Sequence, residues 1–135
     1  MNYLMNNNDI IEKLTLGKEQ TETVEIDGVE IELRPLTSGE LAKLQSLEKQ
    51  GFKMKVGVNQ QGHRPSNDVD VNAGEFNKYQ TEAMFKAVAW SMGVKEEQVK
   101  GFTVGVPEKI FSEVIRISNL SDGDLTSVKQ FRKEE

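Results

Sequence analysis

His63 is the only imidazole in these 135 residues, and cysteine is absent. It lies in the polar stretch 59–74, NQQGHRPSNDVDVNAG, away from any local serine or acid placed to complete a nucleophilic triad. The expectation is an exposed loop histidine. A zinc site would have to assemble carboxylates around that one imidazole. Asp68-Val69-Asp70-Val71-Asn72 opens like a calcium-binding loop. It then departs from the pattern, with Ala73 at the sixth position where glycine makes the turn and Tyr79 at the twelfth where glutamate closes the shell. Glu96 and Glu97 are sequence neighbours, and neighbouring helix positions do not face each other. No phosphate loop, dinucleotide fingerprint, nucleophile elbow or HExxH is present. Asn119-Leu120-Ser121 matches a glycosylation sequon, which matters only for a secreted chain. The residues therefore predict no catalytic centre, no metal site and no cofactor. A small hydrolase built on the 59–74 loop with His63, Asp68 and Asp70 is the enzymatic alternative.

Charge narrows the partners. The formal net charge is −5, and residues 1–50 hold ten acids against five bases. Residues 51–80 carry four bases to three acids, and residues 81–135 eight to nine. Counterion release from phosphates needs a basic footprint; no segment has one, so nucleic acid is not expected as a partner. No run reaches the ~18 apolar residues of a membrane span, and mean hydropathy is −0.54. Residues 1–9, MNYLMNNND, lack the basic and apolar regions of a signal peptide. A soluble, cytoplasmic, single-domain protein over 1–135 is expected. Its frayed ends would be 1–8 and 132–135, and 59–74 a mobile polar loop.

The elements follow from periodicity and turn chemistry. A short helix over 9–16 would carry Ile10, Ile11 and Leu14 on one side and stop at Gly17. In TVEIDGVEIEL, Asp27-Gly28 is a two-residue hairpin turn with positive φ at both positions. That loop pairs Ile26 with Val29, Glu25 with Glu30, Val24 with Ile31 and Thr23 with Glu32. Val24, Ile26, Val29, Ile31 and Leu33 then share one face, with Glu25, Glu30 and Glu32 on the other. Opposed glutamates repel; either solvent or a basic neighbour offsets this. Arg34-Pro35 ends the strand, and Thr37-Ser38-Gly39-Glu40 is a capping box for a helix to about Gln50. That helix carries Leu41, Leu44 and Leu47, with Gly51 as its stop.

Phe52, Met54, Val56 and Val58 alternate with Lys53, Lys55 and Gly57. This predicts a third short strand whose lysines lie beside the acidic hairpin face, or else the arm of a mobile loop. The helix over 75–92 is apolar nearly all round in its second half, so it is expected to be central and buried, with Gly93 as its stop. A helical turn at KEEQV is followed by an extended segment alternating Phe102, Val104 and Val106. Pro107 opens a helix with the stripe Ile110, Phe111, Val114, Ile115 and Ile117, closed by Asn119. Ser121 and Asp122 cap a last helix bearing Leu125, Val128 and Phe131. The fold class is α+β: an N-terminal β-hairpin packed on a mainly helical body of four to five helices.

The run Val29-Glu-Ile-Glu-Leu-Arg-Pro-Leu-Thr-Ser-Gly-Glu40 resembles the start of tail assembly chaperones of long-tailed bacteriophages and prophages. In those proteins a hairpin meets a capped helix through an apolar-Arg-Pro-Leu-Thr junction, here Leu33, Arg34, Pro35, Leu36, Thr37 and Glu40. The later layout, a polar loop, an Ala-rich helix and shorter helices ending near Phe131, is similar too. The resemblance covers most of the chain in layout but only about a dozen residues in motif. It implies a non-enzymatic protein of the host cytoplasm that binds the tape measure protein and keeps it soluble while the tail polymerises. It also implies self-association, often a short and a frameshift-extended form, and absence from the mature virion. A structural tail-completion or neck protein is the alternative. The candidate partner surfaces are the stripe Leu120, Leu125, Val128 and Phe131 and the segment with Phe102 and Val104; core packing within the monomer is the competing role for each.

Overall fold

Asp27 and Gly28 adopt φ of 52° and 85°, the left-handed pair that lets a two-residue loop follow the twist of its flanking strands. β1 (Glu22–Ile26) and β2 (Val29–Leu33) pair antiparallel in the expected register, from Ile26↔Val29 to Glu22↔Leu33. The computed structural model describes residues 7–15, 21–59 and 73–131, with side chains at 7–15, 21–50 and 78–131. Within them lie α1 (Asn7–Leu14), α2 (Ser38–Asn59), α3 (Ala73–Met92), α4 (Glu96–Lys100), α5 (Val106–Ser118) and α6 (Thr126–Phe131). The expected α+β class, a hairpin on a helical body, is the architecture observed. β1 rests on α5 and β2 on α3, while α3 also touches α2, α4, α5 and α6.

The stretch 52–58, expected as a strand, is the second half of α2, and the sheet among the described residues has two strands. A lone third strand would leave its outer backbone groups unpaired, whereas a continuing helix pairs them within itself. Gly51 inside a helix costs about 1 kcal/mol relative to alanine. The long contact of α2 with α3 outweighs that, since tertiary packing supplies most helix stability. Lys53 and Lys55 thus sit on a helix and not on a strand beside the hairpin. The expected loop keeps only residues 60–72 outside the described regions, because Asn59 ends α2 and Ala73 begins α3.

Smaller departures have local causes. α1 begins at Asn7 and ends at Leu14, while the expected stop at Gly17 lies outside the described residues, as do 1–6 and 132–135. Phe102, Val104 and Val106 are not extended: the N–H groups of Phe102 and Val106 donate to Val99 O and Thr103 O, each at 3.0 Å, coiling the chain into turns. Those turns carry it from α4 into α5, whose first turn holds Pro107.

α3 is the central column. Ala83, Met84, Ala87, Val88 and Ala89 are buried along it, in keeping with the nearly all-round apolar character of its second half. Gly93 at φ 75° ends it; the N–H groups of Gly93 and Val94 close on Ala89 O at 2.8 and 3.0 Å. Asn119 closes α5 in the same left-handed conformation at φ 60°. Leu33, Leu44 and Phe111 are fully buried, each contributing roughly 1.5–3 kcal/mol of apolar transfer. Phe111 meets Phe131 edge-on with ring centroids 6.4 Å apart.

Candidate functional site

The junction residues form a clasp. Arg34 donates through both guanidinium nitrogens to Glu40 at 2.9 and 2.7 Å, and also to Pro35 O at 2.9 Å. The capping box is reciprocal: Thr37 N–H donates to Glu40 Oε1 at 3.0 Å, and Glu40 N–H to Thr37 Oγ1 at 3.1 Å. Burial pushes the Glu40 carboxyl up, but the Arg34 guanidinium and the Thr37 N–H outweigh it and hold the group below its ordinary value.

Two serines that the sequence did not single out fasten this joint to the body. Arg34 N–H donates to Ser91 O at 3.0 Å, and Ser91 Oγ donates back to Arg34 O at 2.6 Å. Leu36 N–H donates to Ser118 Oγ at 2.9 Å. Leu33 is buried beneath. The motif residues Leu33, Arg34, Pro35, Leu36, Thr37 and Glu40 thus hold the strand–helix angle, with Arg34 and Thr37 both bonded to Glu40.

The partner candidates separate on burial. Leu120, Leu125 and Val128 are core residues, and Phe131 is half-buried against Phe111. The C-terminal stripe is therefore spent within the monomer and is not an exposed surface. The helix that bears it starts at Thr126, and its cap is not Ser121 or Asp122 but Glu48 of α2. The Glu48 carboxylate accepts from Thr126 N–H and Oγ1 at 2.7 and 2.9 Å and from Ser127 N–H at 2.9 Å. Such a contact 78 residues away in sequence leaves no local signal. Ser121 instead donates its N–H to Asp124 Oδ2 at 2.7 Å, closing the preceding turn.

Val104 is the opposite case, 97% exposed. Phe102 is half-buried and lines an open hollow of about 420 Å³ between the hairpin and α5. The hairpin wall is Ile26, Val29 and Ile31; the facing wall is Met92, Phe102, Thr103, Val106 and Ile110. Ile26 and Ile110 form the buried floor, while Val29, 60% exposed, stands on the rim. Val29 shares the apolar face as expected, but the tip of the hairpin carries it past the body. Asp27, also on the rim, is bridged by Lys109 of α5 at 2.6 Å. Arg116, further along α5, pairs with Glu22 at 2.5 Å. These two ion pairs brace the hairpin against α5 and hold the hollow's width.

The chemistry available here is apolar contact. Thr103 and Asp27 are the polar residues of the lining, Asp27 being paired with Lys109, and among the described residues no three His, Cys, Asp or Glu side chains cluster as metal ligands would. His63, Asp68 and Asp70 lie outside the described residues. No helix among the described residues is long and apolar enough to cross a membrane. Besides Val29 and Val104, the large apolar side chains left exposed among the described residues are Ile10, Ile11 and Leu14 of α1, a helix that buries none of its residues. Comparison of the chain with protein-family models, with curated proteins and with solved structures finds no match.

Proposed function

We propose that this chain is a non-enzymatic tail assembly chaperone that holds exposed apolar helix faces of a tape measure protein until the tail closes around them. The observation that supports the reading most is the open apolar hollow between hairpin and α5, rimmed by Val29 and flanked by Val104. An unassembled, elongated helical protein carries apolar stripes that aggregate when uncovered. A groove lined by aliphatic and aromatic side chains accepts such a stripe at i, i+3, i+4 and i+7 spacing. The resemblance in layout to the chaperone family, a hairpin and capped helix ahead of an Ala-rich helix, supports the same reading.

Magnitudes favour a weak, repeated contact. Burying three aliphatic anchors returns roughly 4.5–9 kcal/mol, while association itself costs an estimated 4–15 kcal/mol. One hollow therefore binds one helix segment loosely. Several copies along one long client bind it durably through effective concentration, and each copy leaves easily when the tube displaces it. Self-association of the chain would add to that avidity.

Co-expression with a long coiled-coil-rich client tests the proposal. The client is expected in the supernatant with the chain present and in the pellet without it. An unchanged pellet in both cases overturns the reading, and finding the chain in stoichiometric amounts in purified particles supports a tail-completion or neck component instead.

A further inference from the structure

We propose that Asp27 is a site of spontaneous covalent modification, conversion to isoaspartate through a cyclic imide with Gly28, and that Lys109 holds this reaction back in the folded chain. The proposal is independent of what the hollow binds. Aspartate followed by glycine is a reactive pairing for this chemistry. Glycine has no side chain to shield its backbone nitrogen, and its backbone reaches the torsions that ring closure needs. The chain has two such pairs, Asp27-Gly28 and Asp122-Gly123.

The reaction balances without any added reagent. The Gly28 amide nitrogen gives up its proton and attacks the side-chain carboxyl carbon of Asp27. A C–N bond forms, and the carboxyl loses water. Water then opens the imide at one of its two carbonyls. Opening at the side-chain carbonyl restores aspartate. Opening at the main-chain carbonyl leaves isoaspartate, with the backbone running through Cβ and Cγ and the α-carboxylate free. The mass of the chain is unchanged.

Access and restraint oppose each other at this turn. Asp27 and Gly28 sit at the hairpin tip with φ of 52° and 85°. The Asp27 side chain is half-exposed, and a Cβ added at Gly28 would meet nothing within 4 Å, so the turn is open to water. Ring closure requires rotation about the Cα–Cβ and Cα–C bonds of Asp27, to carry its carboxyl carbon onto the Gly28 nitrogen. The strand pairing that starts at Ile26↔Val29 restrains the second bond. The bridge from Lys109 Nζ to Asp27 Oδ1, at 2.6 Å, restrains the first. Lys109 acts here as a positioning residue. The product bears on the hollow. An extra backbone atom ends the two-residue loop geometry that matches the strand twist, and the pair closed by that loop is Ile26, on the floor, and Val29, on the rim.

The experiment ages the full chain and two variants, Lys109→Met and Lys109→Arg, in mildly acidic buffer. Isoaspartate is quantified at each site by peptide mapping with electron-transfer fragmentation, and Asp122 serves as the internal control. Lys109→Met is expected to raise the rate at Asp27 about two- to fivefold, the range that an exposed ion pair covers, and to leave the rate at Asp122 at the parental value. Lys109→Arg keeps a cation beside Asp27 and is expected to react there at the parental rate. In urea all three chains are expected to react alike at Asp27, and faster than the folded parent. The isoaspartate form, isolated by chromatography, is expected to exchange its Val29 amide faster than the parent. Equal rates at Asp27 in the folded parent and Lys109→Met, or a rise that appears equally at Asp122, overturns the role of Lys109. A parent that forms no isoaspartate at Asp27 even in urea overturns the site itself. A modified chain that exchanges Val29 at the parental rate overturns the effect on the hollow.

Discussion

The two ends of β2 do opposite work. At its C-terminal end Leu33 is fully buried, and the Arg34–Glu40 joint that follows ties itself to α3 and α5. At its N-terminal end, four residues away, Val29 is 60% exposed on the rim of an open apolar hollow. One strand thus connects a region where polar groups meet protein partners to one where apolar side chains meet water. The rigid end sets the position of the open end. A hairpin anchored at Leu33 and braced by two ion pairs to α5 presents its tip in one orientation, which lowers the ordering cost of binding.

The largest expected effect contrasts two aliphatic residues of the one strand. Leu33→Ala should lower unfolding free energy by about 2–5 kcal/mol through lost transfer and a residual cavity. Val29→Ala should stay within about 0.5 kcal/mol yet weaken client binding; urea denaturation of both variants checks this. Equal destabilisation would mean that the hairpin tip is not open in solution.

The clasp comes next. Arg34→Ala leaves Glu40 without its bidentate partner and should cost about 1–3 kcal/mol, the usual loss for a charged hydrogen bond of a partly buried group. Arg34→Lys should recover only part of that, since an ammonium cannot reproduce the planar fork.

Acid titration sharpens the same point. Because Glu40 is held below its ordinary value in the folded state, its contribution is complete above the unfolded carboxylate value of about 4.3. It disappears as pH falls through the lower folded value. Glu40→Gln should therefore flatten the acid limb of the stability–pH curve and leave its shape near neutrality unchanged. A variant curve parallel to the parent below pH ~4 would contradict the clasp.

The smallest effect is expected at the tip. Asp27→Asn keeps a residue tolerant of positive φ and removes the exposed bridge to Lys109, a change of at most about 1 kcal/mol. Its consequence should appear instead as faster amide exchange over Ile26–Val29.

Two capping carboxylates show what could be read in advance. Glu40 lies three residues after Thr37, so its role is written in a local spacing, and the structure has that bond. Glu48 caps α6 from a distant helix, and neither residue's neighbours hint at it. The same distinction explains the errors at 52–58 and at Phe102 to Val106. Alternation over a few residues suits a strand, but a strand requires a neighbour, and neighbours are chosen by the whole chain. It explains the C-terminal stripe as well: Leu125 and Val128 looked like either core or surface until α3 and α5 were in place to cover them.

The amino-acid order by itself determined the hairpin and its register, the capped joint and the stops at Gly93 and Asn119, because each depends on φ preferences and side-chain bonds within a few residues, and it marked the central helix through its run of apolar residues. Tertiary structure alone decided which apolar residues stay exposed, which serines and acids fasten distant elements, and where the hollow opens. Those outcomes depend on how much surface each element finds to bury against the others, a property of the assembled chain and not of any segment.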